Sequence, residues 1–252
     1  MRRYWLEKKS IYENQVLFRG DVFHHIFDVC RQDVGHQFEV LTEDSKAFLV
    51  EVVSIGKKEA IGKILESREI ESLKKPYLHI VLSVPRFQKM DLILEKAVEL
   101  GVSSLIPVVS DFSFVRKSSE MPDKGERWNK IIRGATQQSG RGDLLQLKPT
   151  QTLVQFLEGF NPSHGARGLF AYEGESAILD IKSHLRSWEN RAEIQDIFVF
   201  VGSEGGFSAA EVQLMQGKSL TPVTLGAQVL RVETACFALV SVLKYEFDLM
   251  CQ

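Results

Sequence analysis

The chain has 252 residues, 44% hydrophobic and 25% charged, with 31 Lys+Arg against 33 Asp+Glu and a formal net charge of −2. Those proportions exclude collagen-like, disordered and disulfide-scaffold classes, and a chain of this size buries enough surface for one large core or two modest ones. No apolar run approaches the ~18–20 residues that span a bilayer, and the start MRRYWLEKKS lacks the apolar stretch that follows a signal peptide's basic end, so a cytoplasmic protein is expected.

The first seventy or so residues predict strands. VLFRG, HQFEVLTED, KAFLVEVVSIG and AIGKILES are rich in Val, Ile and Phe and are separated by Gly, Asp and Lys turns at roughly ten-residue spacing, the pattern of a small barrel or sandwich. DVFHHIFDVCR interrupts them, with Val22, Ile26 and Val29 spaced for a helical turn or two capped by Asp21. The charged stretch SREIESLKK, residues 67–75, predicts a linker. From Tyr77 the rhythm changes: LHIVLSV, then QKMDLILEKAVEL ended by Gly101, SLIPVVS, ERWNKIIRGATQQS, GLFAY, IFVFV, a helix from Ser208, PVTL, and a terminal helix from about Glu233 to Leu249. Short apolar strands alternating with helices predict an α/β domain, its mainly parallel sheet covered on both faces.

Cys30, Cys236 and Cys251 form no CxxC pair and have no His at ligand spacing, so they are expected to be idle or buried thiols. His24 and His25 are adjacent and diverge on any regular element, so no metal is implied.

Two segments carry candidate chemistry. Val201-Gly-Ser-Glu-Gly-Gly-Phe207 leaves the strand IFVFV, and the capping box Ser208-Ala-Ala-Glu211 makes it the loop before a helix N-terminus. Its glycines suit either close approach of a ligand to the backbone or a tight turn that needs them for geometry alone; its spacing fits neither G-x-G-x-x-G nor a P-loop. Leu225-Gly-Ala-Gln-Val-Leu-Arg-Val-Glu-Thr-Ala235 runs from the end of PVTL, where open α/β sheets place ligand crevices, into the last helix. Arg231 either contacts substrate or braces the loop by pairing with Glu233 or Glu204.

GSEGG with FSAAE, then LGAQVLRVETA, resemble the paired loops of the SPOUT-class methyltransferases, and in particular the RsmE family, which methylates N3 of a uridine in 16S ribosomal RNA. KMDLILEKAVELGVSSLIPVVSDFS resembles that family's first helix, turn and strand, RGATQQSGR its second helix, and FHHIFDVCRQDVGHQFEV its PUA-like RNA-binding module. The resemblance implies a PUA-like β-barrel over residues 1–72 and, over 73–252, a SPOUT-type trefoil-knotted sheet, one of the exceptions to the rule against threaded connections. It implies S-adenosyl-L-methionine as cofactor, surrounded by Phe170, Ala171, Tyr172, Glu173, Gly202, Ser203, Glu204, Gly205, Gly206, Leu225, Gly226, Val229, Leu230, Arg231, Thr234 and Ala235. It also implies a homodimer that completes the site, and as substrate 16S rRNA within the assembled small ribosomal subunit.

Uracil N3–H loses its proton only at alkaline pH, so a base must remove it or a cation must stabilise the anion. Arg231 is the candidate cation and Glu204 the candidate base, with an ordered water as its rival. Arg2, Arg3, Arg31, Arg86, Lys89, Arg116, Lys117 and Arg141 are the candidate RNA contacts. The sequence departs from the family pattern in three places: Ser203 stands where Pro is usual, Gln228 where Arg is usual, and Gln137 where Glu is usual in a helix ending at Arg141. Two other readings therefore stay open, methylation at another RNA position and a catalytically silent RNA-binding or ribosome-assembly factor. Apolar residues on more than one face of the terminal helix, Phe237, Leu239, Val240, Val242, Leu243 and Phe247, fit either a dimer contact or burial within one subunit. Near-neutrality is itself a cancellation: residues 74–148 carry a net charge of +5 and residues 149–252 a net of −5.

Overall fold

The computed structural model describes residues 1–121, 125–162, 165–174 and 179–250. Two compact units are formed, Met1–Ser72 with Arg133–Leu144, and Leu73–Ile132 with Leu145–Gln252.

The first unit is built on β1 (Arg3–Trp5), β2 (Ile11–Tyr12), β3 (Gln15–Arg19), β4 (Gln37–Thr42), β5 (Lys46–Ile55) and β6 (Glu59–Glu69), in the order β1-β4-β5-β6-β3-β2. Pairing is antiparallel except for β1, which runs parallel to β4. The strands make one curled sheet, as the expected small β module requires, bent where the β5–β6 register shifts at Leu49/Val50 and Val52/Ser54. Alternate residues turn inward: Val16 and Phe18 on β3, Ala60 and Ile64 on β6. Phe38 packs edge-on against Tyr4 and Phe18 with centroids 4.8 and 5.7 Å apart. Gly62 is required there, because a Cβ would stand 2.2 Å from Val50 Cγ1.

Two local expectations are corrected in this unit. The helix over DVFHHIFDVCR begins as α1 (Gly20–Phe23) with Arg19 in the N-cap position, so Asp21 lies in the first turn rather than capping it, and His24–Val29 continues as a wider π-helical turn. Residues 67–75 are not all linker: β6 runs to Glu69, and Ile70 packs beside Trp5, Leu41 and Ala47. Buried Glu39 joins three strands, receiving Arg3 Nε at 3.0 Å and Arg68 Nη2 at 2.8 Å.

The second unit carries β7 (Tyr77–Ser83), β8 (Ser104–Val109), β9 (Gln146–Leu147), β10 (Gln151–Thr152), β11 (Ala166–Ala171), β12 (Leu179–Asp180), β13 (Asp196–Val201) and β14 (Thr221–Thr224), all paired in parallel, in the order β10-β8-β7-β13-β11-β14-β12 with β9 beside β8. The helices are α2 (Phe87–Glu99), α3 (Gly125–Ser139), α4 (Leu153–Gly159), α5 (Ile181–Arg186), α6 (Ala209–Gly217) and α7 (Val232–Glu246). Central strands are largely apolar, as strands covered on both faces must be: every residue of β8 is buried, and Phe170 of β11 and Phe200 of β13 are fully enclosed. The terminal helix is shorter than expected, ending at Glu246.

α3 ends at Ser139, two residues before Arg141, and its last turns belong to the first unit. There the Gln137 side chain accepts the Trp5 N–H at 2.8 Å, and the Arg133 guanidinium lies 5.3 Å from the Trp5 ring centroid.

Candidate active site

β13, β11 and β14 are neighbours in one parallel sheet, so their C-terminal ends open on the same edge and the loops that leave them meet. A cleft of about 370 Å³ lies among these loops. It is lined by Ala171 at the end of β11 with Tyr172, Glu173 and Gly174 after it, by Val201 at the end of β13 with the loop to Phe207, by Val229 and Leu230 before α7, and by Val232 and Ala235 in its first turn.

The β13 loop is held by contacts that only its own residues permit. A Cβ on Gly202 would approach the Gly206 backbone to 2.7 Å, and Gly206 donates to the Ser203 carbonyl at 2.9 Å with φ +72, which closes a tight turn. Buried Ser203 donates its hydroxyl to the Phe112 carbonyl at 2.5 Å, so the residue that departs from the family pattern ties this loop to the one after β8. The capping box is present: Ser208 N–H donates to Glu211 at 2.9 Å, and the Glu211 N–H donates to Ser208 Oγ at 3.3 Å. Glu211 also accepts the Asp111 N–H at 2.8 Å. Across the cleft, Glu173 accepts the Leu230 N–H at 3.0 Å, linking the loops after β11 and β14.

Of the residues expected around a cofactor, Ala171, Tyr172, Glu173, Gly202, Ser203, Glu204, Gly205, Gly206, Val229, Leu230 and Ala235 line this cleft. Phe170 does not; its ring is enclosed in the core with Phe200 and Phe207, so it supports the wall from behind. Leu225, Gly226, Arg231 and Thr234 are close in sequence but outside the lining; on α7 Val232 and Ala235, three apart, take the inward face and leave Thr234 exposed. Val201, Phe207 and Val232 also line the cleft; they fall within the two candidate segments but outside the residues expected around the cofactor, and Gly174 joins them by contiguity with Glu173.

The charges resolve differently from expectation. Lys89, and not Arg231, pairs with both carboxylates, lying 3.5 Å from Glu204 Oε1 and 3.2 Å from Glu233 Oε2. The Arg86 N–H donates to Glu204 Oε1 at 3.3 Å. Burial pushes the Glu233 carboxyl up, but its own amide N–H and Lys89 outweigh that and hold it below the usual carboxylate range. Arg231 is exposed at the N-cap position of α7 and makes no ion pair among the described residues.

The candidate RNA contacts also divide. Arg2, Arg31, Arg86, Arg116 and Lys117 are exposed. Arg141 is largely covered, its side chain 8% exposed and engaging Asp143 at 2.9 Å. Arg3 is committed to Glu39, and Lys89 to the two carboxylates. Cys236 is buried, which pushes its thiol up, Cys30 is partly buried, and Cys251 lies outside the described residues. Among the described residues no group of three His, Cys, Asp or Glu side chains is placed to hold a metal, and no helix is long and apolar enough to cross a membrane.

A parallel α/β unit with a cleft at the carboxyl ends of its strands, in a chain that also forms a small β unit, is the architecture of an enzyme that carries a binding module. The profile of the RNA methyltransferase domain matches residues 72–244 and that of the RNA methyltransferase PUA domain matches residues 18–65. The chain belongs to the RNA methyltransferase family. It is 27% identical to the ribosomal RNA small subunit methyltransferase E of Bacillus subtilis over 99% of this chain and 98% of that one. It is 30% identical to the enzyme of the same name from Aquifex aeolicus over 90% and 93%. Among solved structures, the small subunit methyltransferase E of Neisseria gonorrhoeae, bound to S-adenosyl methionine, shares the fold with a TM-score of 0.82 at 24% identity, covering 97% of each chain.

Proposed function

We propose that this chain transfers a methyl group from S-adenosyl-L-methionine to N3 of a uridine in 16S ribosomal RNA. The observation that carries this reading is the convergence of the loops after β11, β13 and β14 on one cleft, in a chain related over nearly its whole length to enzymes named for small-subunit rRNA methylation. The cleft fits the cofactor in size and chemistry. Its ~370 Å³ falls within the usual range for small-molecule sites, apolar walls from Ala171, Leu230, Val232 and Ala235 face glycine backbone, and the carboxylates of Glu173 and Glu204 have the sign that suits a cation.

When bound, S-adenosylmethionine supplies a sulfonium methyl, an electrophile already activated. The chain's task is then to align the uracil and remove its N3 proton. Glu204, fixed by Arg86 N–H and Lys89, accepts that proton directly or through an ordered water. Arg231, exposed and unpaired among the described residues, stabilises the negative charge on the ring oxygens. The target must be unpaired, since N3 is hidden in a base pair. Exposed Arg2, Arg31, Arg86, Arg116 and Lys117 neutralise phosphate.

A second copy of the chain belongs to this reading. Val229 lines the cleft yet is 82% exposed, and Phe237 and Val242 of α7 are half-buried, so a partner subunit covers apolar surface that one chain leaves open. Small subunits assembled in the cytoplasm are the substrate. Gln228, exposed on the loop after β14, favours a second reading in which another RNA position is methylated.

Mass spectrometry of 16S rRNA nucleosides from a strain lacking the gene tests the assignment: 3-methyluridine should be missing, and its full retention rejects the N3 reading. Calorimetric titration with the cofactor should show binding; none would leave an RNA-binding factor. Sedimentation giving a monomer at micromolar concentration would remove the shared site.

A further inference from the structure

We infer that Phe112 and Phe114, on the loop between β8 and α3, form an aromatic seat for an unstacked nucleobase at the rim of the cleft; the inference rests on the RNA-methylation reading. Both rings stand about half in water, at 49% and 53% exposure. Their backbone, by contrast, is pinned at nearly every residue. Ser110 N–H donates to Ser113 Oγ at 2.8 Å, Asp111 N–H to Glu211, the Phe112 carbonyl accepts from Ser203, and Phe114 N–H donates to the Val84 carbonyl at 2.9 Å. Ser83, Ser110 and Ser113 join their hydroxyls beneath the loop, and Val115 is buried in a small cluster with Val84 and Val109.

A loop fixed this firmly could have turned its large apolar groups inward; it presents them instead, at no further ordering cost when a ligand arrives. The position is specific. The root of the Phe112 ring lies against Gly205, where a Cβ would stand 2.8 Å from Phe112 Cβ, so one side of the seat is the cleft loop itself. The Phe114 ring meets Phe87 edge-on at 5.2 Å, and Phe87 follows Arg86, whose N–H holds Glu204. Exposed Arg116 and Lys117 lie two and three residues after Phe114, and exposed Arg86 precedes the Phe87 that the Phe114 ring meets. Presented aromatics beside cations are the surface that binds single-stranded nucleic acid: bases stack on the rings and phosphates meet the cations.

The test is steady-state methylation of small subunits from a strain lacking the gene, with the wild-type chain and with Phe112→Leu, Phe114→Leu and Phe112→Tyr. Leucine keeps apolar bulk against Gly205 and removes the π-face; tyrosine keeps both. Each Leu variant is expected to raise KM for subunits about 5- to 100-fold, the worth of one stacked base, with cofactor affinity by calorimetry unchanged and KM restored by Tyr. Wild-type KM in both Leu variants overturns the seat, as does a parallel loss of cofactor affinity, which would make the rings mere support for the glycine loop. A wild-type chain inactive on such subunits overturns the methylation reading and the seat together.

Discussion

Lys89 Nζ stands 3.2 Å from Glu233 Oε2, an oxygen that is buried and has no partner in hydrogen-bond alignment, so the ammonium is its charge balance. Because the same ammonium is 3.5 Å from Glu204, one side chain on α2 sets the electrostatics of both the glycine loop and the first turn of α7. Lys89→Met should therefore act on two properties at once. Leaving a buried acceptor uncompensated costs about 1–3 kcal/mol, and for a chain of this size each kcal/mol lowers the melting temperature by about 2–4 °C. Methylation should fall as well, because Glu204 loses a positioning contact. Thermal denaturation and initial rates check this, and a variant with unchanged melting temperature would show that the pair contributes nothing.

Gly202 makes the sharper test of the cleft. A Cβ there would lie 2.7 Å from the Gly206 backbone, a distance no side-chain rotation relieves, so Gly202→Ala must shift the whole turn. Cofactor affinity should drop at least about tenfold, a loss of ~1.4 kcal/mol, while the circular dichroism spectrum stays that of the folded chain. Gly134 is the control: nothing lies within 4 Å of a Cβ built there, so Gly134→Ala should leave affinity alone. Equal binding by the two variants would disprove the placement of the ligand.

The turn geometry of the glycine loop and the shared edge of its strands are legible in the sequence, and the reason is local. Backbone requirements at Gly202 and Gly206, and the Ser208–Glu211 capping box, are written in adjacent residues, and alternating apolar strands and helices predict parallel neighbours whose ends share an edge. What was illegible depends on residues distant in sequence. Nothing in the order of residues says that Lys89 rather than Arg231 meets Glu204 and Glu233, or that Arg141 turns to Asp143. The Ser203 hydroxyl finds its partner 91 positions away, so nothing in the order of residues says that this departure from the family pattern supplies a tether. The same limit applied at 67–75, where a charged composition suggested a linker but pairing with β5 continues the strand to Glu69.

In the first unit, Glu39 predicts an acid-sensitive sheet. Burial pushes its carboxyl up, but hydrogen bonds and charge from Arg68 and Arg3 outweigh burial and hold it below the usual range. A depressed carboxylate contributes stability that is complete above the ordinary Glu value of about 4.3 and is lost as pH falls through the lower folded value. Glu39→Gln should lower the melting temperature at neutral pH and flatten its decline below about pH 5. Parallel wild-type and variant profiles in that range would assign the acid limb to other carboxylates.

His79 makes the opposite kind of group and a separate window. Its ring stacks on Phe198 with centroids 4.5 Å apart, with Nε2 2.8 Å from Asp196 Oδ1 and Nδ1 2.7 Å from Ser104 Oγ. A bond to a carboxylate places the proton on Nε2, so neutral His79 accepts from the Ser104 hydroxyl and both ring nitrogens are satisfied. Burial, the largest influence, pushes its pKa down; Asp196 opposes this only in part, and Lys148 adds to the depression. The folded state thus binds its proton less readily than the unfolded chain, whose His titrates near 6.5. Stability from this site is complete above that value and lost as pH falls below it. The melting temperature should be level above about pH 7.5 and decline as pH falls below about 6.5. His79→Gln keeps an N–H for Asp196 and removes the titration, so it should shallow that decline. His184 is also pushed down by burial and titrates in the same window, so part of the slope should persist in the single variant and disappear when both histidines are replaced. An undiminished slope in the double variant would place the sensitivity elsewhere.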